Sequence, residues 1–297
     1  MVPNFEEIIN KEFLEKNNNR VYEDGNRLRN IKKKSSSDNP LITIITVVKN
    51  NSKYLEETIN SILNQKYKNI EYIIIDGLST DGTLEIIKKY IKHIDYAISE
   101  EDKGNYDAIN KGLSLSKGDL IGIVNGDDIL LPDATSILID YYKKFPKVDF
   151  FFGSVKKHWG TLTGFRPHVI KYSWFFYTSH STGFFIKKNA LQKNGKYSLK
   201  YKYSSDFDYF YRLIVHNKLN GIATKKDEIF GIFRPGGISS TLNKEEHFFE
   251  KKQIRVDNKQ NKIFLFLLFS FQIFLNIFSK NRVKLKNSFN FFKKNFF

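Results

Sequence analysis

Between Leu41 and Val124 the apolar pattern of this chain alternates between two periods, and that alternation restricts its fold more than any other feature. LITIITVV (41–48) is a continuous β-branched run, the pattern of a strand buried on both faces. KYLEETINSILNQ (53–65) instead sets Leu55, Ile59, Ile62 and Leu63 on one helical stripe. EYIIID (71–76) then predicts a strand, TLEIIKKYI (83–91) a helix and DYAIS (95–99) a strand. A helix from about Asn105 to Leu115 precedes DLIGIV (119–124), the fourth strand. Strands alternating with helices of this length predict a mostly parallel sheet with helices on both faces. In such sheets ligands sit beyond the carboxyl ends of the strands.

The polar residues fall at those ends. Lys49-Asn50 follow the first strand, Asp76-Gly77 end the second, and Asp127-Asp128 end the fourth. GDLIGIVNGDD (118–128) thus finishes on two adjacent carboxylates that repel each other. A hard divalent ion, Mg²⁺ or Mn²⁺, would relieve the repulsion and bridge phosphate oxygens; a solvated Gly-Asp turn is the simpler alternative. In DGLSTDGT (76–83), Gly77 and Gly82 suit a tight turn and Ser79, Thr80 and Asp81 suit a helix cap. Asp76 is left over. An unpaired carboxylate ending a buried strand is costly, and a base N–H or a ribose hydroxyl of a ligand would satisfy it. EEDKGNYDAINKG (100–112) keeps Asp102, Lys103 and Asn105 near the strand ends, with a solvated helix face as the alternative. YSSDFDYFYRL (203–213) puts Asp206 at a helix start, either as a cap or as a general base for an attacking hydroxyl. His180, between apolar runs, reads first as a satisfied buried group.

Together, PLITIITVVKN (40–50), SILNQKYKNIEYIIIDGLSTDGT (61–83), SEEDKGNYDAINKG (99–112), GDLIGIVNGDD (118–128), SSDFDYFYRL (204–213) and FRPGGISS (233–240) resemble the motifs of one family. It is the family-2 inverting glycosyltransferases of GT-A fold, and within it the bacterial enzymes of capsule, exopolysaccharide and O-antigen assembly. The resemblance covers roughly residues 40–240. It implies an α/β, Rossmann-like sheet and metal-dependent transfer, with inversion, from a UDP-, GDP- or dTDP-linked sugar to a saccharide or lipid-linked acceptor. By position it implies that Asp76 contacts the nucleoside, that Thr46, Val48 and Asn50 line the same pocket, and that Lys103 belongs to the donor side. Asp127-Asp128 correspond to a variant of the DxD motif, with Asp128 the direct ligand of Mn²⁺ or Mg²⁺ and Asp127 near the ribose and phosphate. Asp206 corresponds to the catalytic base, and His180, Asp208 and Arg212 fall on the acceptor side. The chain departs from the pattern at Lys49, where an aromatic is common, at Leu78, where a small residue is common, and at Ser181, where Gln is frequent.

Around this core the expected organisation is a polar extension and linker over 1–39, with a short helix near Phe5–Leu14. A catalytic domain follows over 40–245, with a donor half to about 130 and an acceptor half from 131, and then a helical tail over 246–297. The acceptor half should hold a helix at 133–144, a strand VDFFFGSV (148–155) and a helix over Asp206–Leu219. The net charge of +16 is concentrated: from Lys251 onward eleven Lys or Arg face the single Asp257, giving +10 and leaving +6 for the other 250 residues. A nucleic-acid binder usually carries its charge on a folded face, so this distribution argues against nucleic acid. IFLFLLFSFQIFLNIF (263–278), interrupted by Gln272 and Asn276, is short of the roughly 20 apolar residues of a membrane span. Its basic flanks predict a helix lying on an anionic membrane surface, or one packed on protein. The expected place is therefore cytoplasmic, peripheral to the inner face of the membrane; the oligomeric state stays open. No cysteine is present, which excludes disulfides and thiolate metal sites, and MVPNFEEIIN (1–10) lacks the pattern of a secretory signal. A non-catalytic sugar-nucleotide binder would have no use for Asp127, Asp128 and Asp206 together. A nucleotidyltransferase would want a Gly-rich loop where VVKNNSK stands.

Overall fold

The computed structural model describes residues 20–172, 181–235 and 244–271, and in it the β-branched runs form the middle of a mixed sheet. The strands are β1 (Tyr22–Asp24), β2 (Ile42–Val48), β3 (Ile70–Asp76), β4 (Tyr96–Ser99), β5 (Leu120–Ile123), β6 (Ile129–Leu130), β7 (Phe150–Phe152), β8 (Ser154–Lys157), β9 (Gly160–Leu162), β10 (Phe184–Lys187), β11 (Gly221–Ala223) and β12 (Ile229–Ile232). The larger sheet runs β1-β4-β3-β2-β5-β10-β7-β11 and the smaller one β6-β12-β8-β9. Strands β4, β3, β2 and β5 are parallel, as their alternation with helices requires. β1 and β10 join antiparallel.

Every residue of β2 and β3 is buried because helices cover both faces. On one face Ile45 and Val47 share a core with Ile109 and Leu113 of α3 (Asn105–Leu115). On the other, Ile42, Ile44 and Val48 pack with Leu55 and Ile59 of α1 (Ser52–Leu63), Ile87 of α2 (Thr83–Tyr90) and Leu138 of α4 (Ala134–Lys144). Each aliphatic side chain so buried stabilises the fold by roughly 1.5–3 kcal/mol. Further on come α5 (Pro167–Tyr172), α6 (Lys188–Asn194), α7 (Ser205–Tyr211) and α8 (Lys244–Asp257).

Four expectations need correction. First, residues 20–39 are no linker. β1 pairs with β4, Arg20 meets Glu100 at 2.7 Å, Arg27 binds Glu71 and Lys33 meets Asp95 at 2.7 Å. These cations neutralise acids that the sheet buries, since Glu71, Asp95 and Glu100 are at most 4% exposed. Second, VDFFFGSV is two strands in two sheets. At Gly153 the chain passes so close to Phe230 that a Cβ would lie 2.0 Å from its ring, and β7 and β8 diverge there. Third, the helix expected to Leu219 is α7 followed by a widened turn over Arg212–His216, where Asn217 N–H donates to the Arg212 carbonyl at 2.9 Å. Fourth, the boundary at 246 falls inside α8, whose Ile254 and Arg255 are fully buried. The predicted helix near Phe5–Leu14 lies outside the described residues. The expected apolar tail is helical over 262–271, and residues 272–297 also lie outside them.

Candidate active site

At the carboxyl edge of the sheet Val48, Asp76 and Ser99 stand side by side in register. Asp76 is fully buried, but it is not the unpaired carboxylate that its position suggested. Its Oδ1 accepts from Ser79 Oγ at 2.5 Å, and its Oδ2 accepts from Ser99 Oγ at 2.5 Å and from Ser79 N–H at 3.1 Å. The loop after β3 is tied in turn to the loop after β2: Asn50 N–H donates to Ser79 Oγ and Thr80 N–H donates to Asn50 Oδ1, both at 2.8 Å. Asn50 is exposed and adopts φ +50°, so these bonds hold a left-handed residue in place. Thr46, expected to line the same pocket, lies in the core. It is fully buried and accepts from Tyr72 Oη at 3.1 Å, so its hydroxyl is used inside the core. The Lys103 side chain is exposed at the start of α3, where its N–H donates to Asp107.

The loop after β5 lies against the same edge. Gly126 N–H donates to the Val47 carbonyl at 3.1 Å, and a Cβ on Gly126 would sit 2.8 Å from Val48 Cγ2, so a larger residue would push the loop away. This seats Asp127 and Asp128. Asp128 is fully buried, with Oδ2 accepting from Thr182 Oγ1 at 2.6 Å and from Asn125 Nδ2 at 3.2 Å. Thr58 Oγ1 fixes its carbonyl at 2.8 Å. Burial, joined by the charge of Asp127, pushes the Asp128 carboxyl up to about 7 against the pull of Thr182, the Arg234 amide and Asn125. Asp127 is only partly buried; desolvation raises its pKa and the Arg234 guanidinium opposes the rise. Arg234 itself lies 4.7 Å over the Tyr54 ring and pairs with Glu57 of α1. Of the two carboxylates, Asp127 is the one that solvent reaches.

Asp206 opens α7. Water reaches its carboxylate, while protein crowds it on the other sides and the lost solvation raises its pKa, against the Phe207 amide (2.7 Å to Oδ1), Lys251 and a hydrogen bond from Tyr106 of α3. Tyr106 Oη also contacts the Tyr203 carbonyl at 3.3 Å. Lys157, at the end of β8, joins the two parts of the site. Burial lowers its pKa, and the charges of both Asp128 and Asp206 pull it back up. Its ammonium lies 4.2 Å over the Phe233 ring. Asp76 and the loop of the Asp127-Asp128 pair thus meet at Val48 on one edge, and Lys157 feels the charges of both Asp128 and Asp206. A cavity of about 410 Å³ lined by Tyr211, His216, Asn258 and Phe264 contains none of them.

Asp208 and Arg212, expected on the acceptor side, are tied to the surrounding protein. Asp208 is buried, with Arg212 Nε at 2.9 Å and Asn258 Nδ2 at 3.0 Å. Arg212 also donates to the carbonyls of Asn194 and Lys196, so this pair holds the protein together. His180 lies outside the described residues. Lys157, Tyr106, Thr182 and Lys251 escaped the sequence reading, and nothing local marks them: their neighbours are brought by other elements.

The residues present suit a hard divalent ion. Arg234 and Lys157 both act on the acidic pair, and its carboxyls still stay above their ordinary range. No trio of acids and histidines gathers among the described residues. An ion here would complete its shell with phosphate oxygens and water, as Mg²⁺ commonly does.

Comparison with known proteins can now be set beside this geometry. A match to Glycosyl transferase family 2 spans residues 43–203, more than half of the chain. An uncharacterized glycosyltransferase of Methanocaldococcus jannaschii is 30% identical over 194 residues, 61% of this chain and 67% of its own length. The putative teichuronic acid biosynthesis glycosyltransferase TuaG of Bacillus subtilis is 37% identical over 94 residues, 30% of this chain and 36% of its own. Chondroitin synthase of Escherichia coli is 37% identical over 107 residues, 35% of this chain and 16% of its own. The chain thus spans two thirds of the archaeal relative and far less of the two bacterial ones. Among solved structures, S. aureus TarS 1-349 in complex with UDP-GlcNAc superposes with a TM-score of 0.62 at 18% identity, over 75% of this chain and 67% of that one. The mannosyltransferase PcManGT from Pyrobaculum calidifontis, in complex with GDP-Man and Mn²⁺, gives 0.55 at 16% identity, over 86% and 71%. At such identities the likeness is one of fold.

Proposed function

The chain belongs to glycosyl transferase family 2, and from that premise we propose that it transfers a sugar, with inversion, from a nucleotide-sugar donor to a hydroxyl of a saccharide or lipid-linked saccharide during surface-polysaccharide assembly. What supports this reading is that Asp76 and the Asp127-Asp128 pair meet Val48 on one sheet edge, and that Lys157 feels the charges of both Asp128 and Asp206. The names of TuaG and chondroitin synthase support a polysaccharide product. The nucleotide sugars bound by TarS and PcManGT support the donor class.

On the donor side Val48, Asn50 and Lys103 border the nucleoside, and the buried Asp76 acts through the Gly77–Thr80 loop that it holds. The greater exposure of Asp127 supports giving it the role that the resemblance implied for Asp128. Asp127 is the accessible oxygen donor for Mn²⁺ or Mg²⁺, and Asp128, locked by Thr182 and Asn125, adds negative charge behind it. When bound, the ion supplies positive charge for the leaving diphosphate. Arg234, beside Asp127, adds its own. Asp206 takes the proton of the acceptor hydroxyl on its accessible oxygen, while the Phe207 amide and Tyr106 keep the carboxylate aimed. Lost solvation raises its pKa, the direction that suits a base.

No helix among the described residues is long and apolar enough to cross a membrane. Over 262–271, Ile263, Phe266, Leu267 and Phe271 are each at least 59% exposed, close in sequence to Lys259 and Lys262. We assign this face to an anionic membrane surface, where a lipid-linked acceptor would be found. The test is a screen of UDP-, GDP- and dTDP-sugars with the full chain, reading thermal shift and donor hydrolysis in Mn²⁺, Mg²⁺ and chelator. One donor should stabilise the protein in metal and lose that effect in chelator; no response to any donor would overturn the reading.

A further inference from the structure

Helix α8 lies beyond the span matched by the family, yet it grips the segment that carries Asp206. Glu250 accepts from the N–H groups of Lys202 (2.7 Å) and Tyr203 (2.9 Å). Asp257 accepts from Tyr201 Oη at 2.5 Å and pairs with Lys200. Between these anchors the helix turns two cations toward α7. Arg255 is fully buried, 5.2 Å from the Phe207 ring and 5.8 Å from Tyr211, and donates to the carbonyls of Ile170 (2.9 Å) and Lys171 (3.0 Å). Lys251 is 6% exposed, with its ammonium 5.5 Å from the Phe207 ring.

Burying an ammonium is costly unless an opposite charge answers it. The charge of Asp206 favours the ionised form of Lys251, while Arg255 opposes it. We propose that Lys251 is a positioning residue for Asp206, a buried counter-charge on the protein side of α7 that keeps the carboxylate ionised and leaves its accessible side to the acceptor. The inference rests on the reading of Asp206 as the base.

Other groups also face Asp206. Tyr106 donates a hydrogen bond from α3, Lys157 approaches from β8, and Tyr197 feels the same charge; Glu250 adds negative charge near Tyr106. Lys157 is shared with Asp128, so removing it would disturb both sides of the site. Lys251 answers the charge of Asp206, and its contribution is read at that carboxylate. Burial raises Asp206; the Phe207 amide and then Lys251 lower it. Loss of the ammonium should therefore raise it further.

The test compares wild type, Lys251→Met and Lys251→Arg. Met keeps an apolar stem over Phe207 without charge, and Arg keeps the charge. The acidic limb of kcat/KM should move to higher pH by about one unit in Lys251→Met, the size expected for losing one nearby opposite charge. This means about a tenfold loss below the limb and little loss on the plateau, with donor KM unchanged. Lys251→Arg should restore the wild-type limb. Coinciding profiles for Met and wild type, or an Arg profile that follows Met, would overturn the proposal. Should the Met variant not fold, Lys251→Gln takes its place. The ¹³C carboxyl signal of Asp206, assigned through Asp206→Asn, gives a readout that needs no turnover. An unmoved titration in Lys251→Met defeats the inference even if the enzyme transfers sugar. A moved titration together with normal turnover in Asp206→Asn defeats only the base.

Discussion

Asp76 and Asp206 are aspartates of the same proposed site, held in opposite ways. Asp76 ends a strand paired on both sides, is fully buried, and has its oxygens bonded by Ser79 and Ser99. Asp206 opens a seven-residue helix, is exposed, and owes its surroundings to Tyr106, Lys157 and Lys251 from three other elements. Backbone ladders hold Asp76 on the proposed donor side, whereas the surroundings of Asp206 on the proposed acceptor side are assembled by side chains that can be removed one at a time. Substitutions on the acceptor side should therefore separate chemistry from donor binding, and those on the donor side should not.

Asp206→Asn breaks the comparison most sharply. It should lower kcat by about 10²–10⁴-fold and leave donor affinity, measured by calorimetry, as it was; near-normal turnover would remove Asp206 from the role. Next in size is Arg255→Ala, which removes the guanidinium's bonds to the Ile170 and Lys171 carbonyls, leaving Lys171 only its bond from Gln260, and opens space beside Phe207. Urea unfolding should register a loss of about 3 kcal/mol, and an unchanged midpoint would mean that α8 does not brace the acceptor side. On the donor side, Thr182→Val removes a hydrogen bond from Asp128. Because Asp128 stands behind the proposed ligand Asp127, metal affinity in the presence of donor should fall by less than the roughly 10–100-fold seen for residues that orient a ligating group directly; equal Mn²⁺ titrations would show that Thr182 does not support the pair.

The smallest effect sharpens the comparison through pH. Burial, then the charge of Lys251, pushes the His247 imidazole of α8 down to about 4, against Glu250. Its folded pKa lies below the ordinary value of about 6.5, so the unfolded chain binds the proton first. Stability contributed by neutral His247 is present above about pH 6.5 and is lost as the pH falls toward about 4. His247→Gln should flatten that slope by about 1 kcal/mol, a figure reduced because the ring is only partly buried. Parallel stability curves for the two proteins would defeat the assignment.

Much of the donor side was legible in single stretches. LITIITVV and EYIIID each announce a doubly buried strand, and the parallel order of β4, β3, β2 and β5 follows from the helices between them. Asp127-Asp128 stand out because like charges are adjacent. The misreadings share a cause. Arg20, Arg27 and Lys33 read as solvated linker residues, whereas they meet acids far along the chain. The resemblance alone places Asp208 and Arg212 on the acceptor side, and their partners Asn194 and Asn258 are remote in sequence. VDFFFGSV reads as one strand until Phe230 arrives beside Gly153.

By itself the sequence determined the alternating elements, the edge to which their polar ends point, and the acidic pair on it, because apolar period and local charge are properties of neighbouring residues. Only the tertiary structure decided which carboxylates stay accessible and which cations stand near them. Burial depends on everything that packs around a group, and an ammonium placed from a distant helix leaves no mark in the residues it serves.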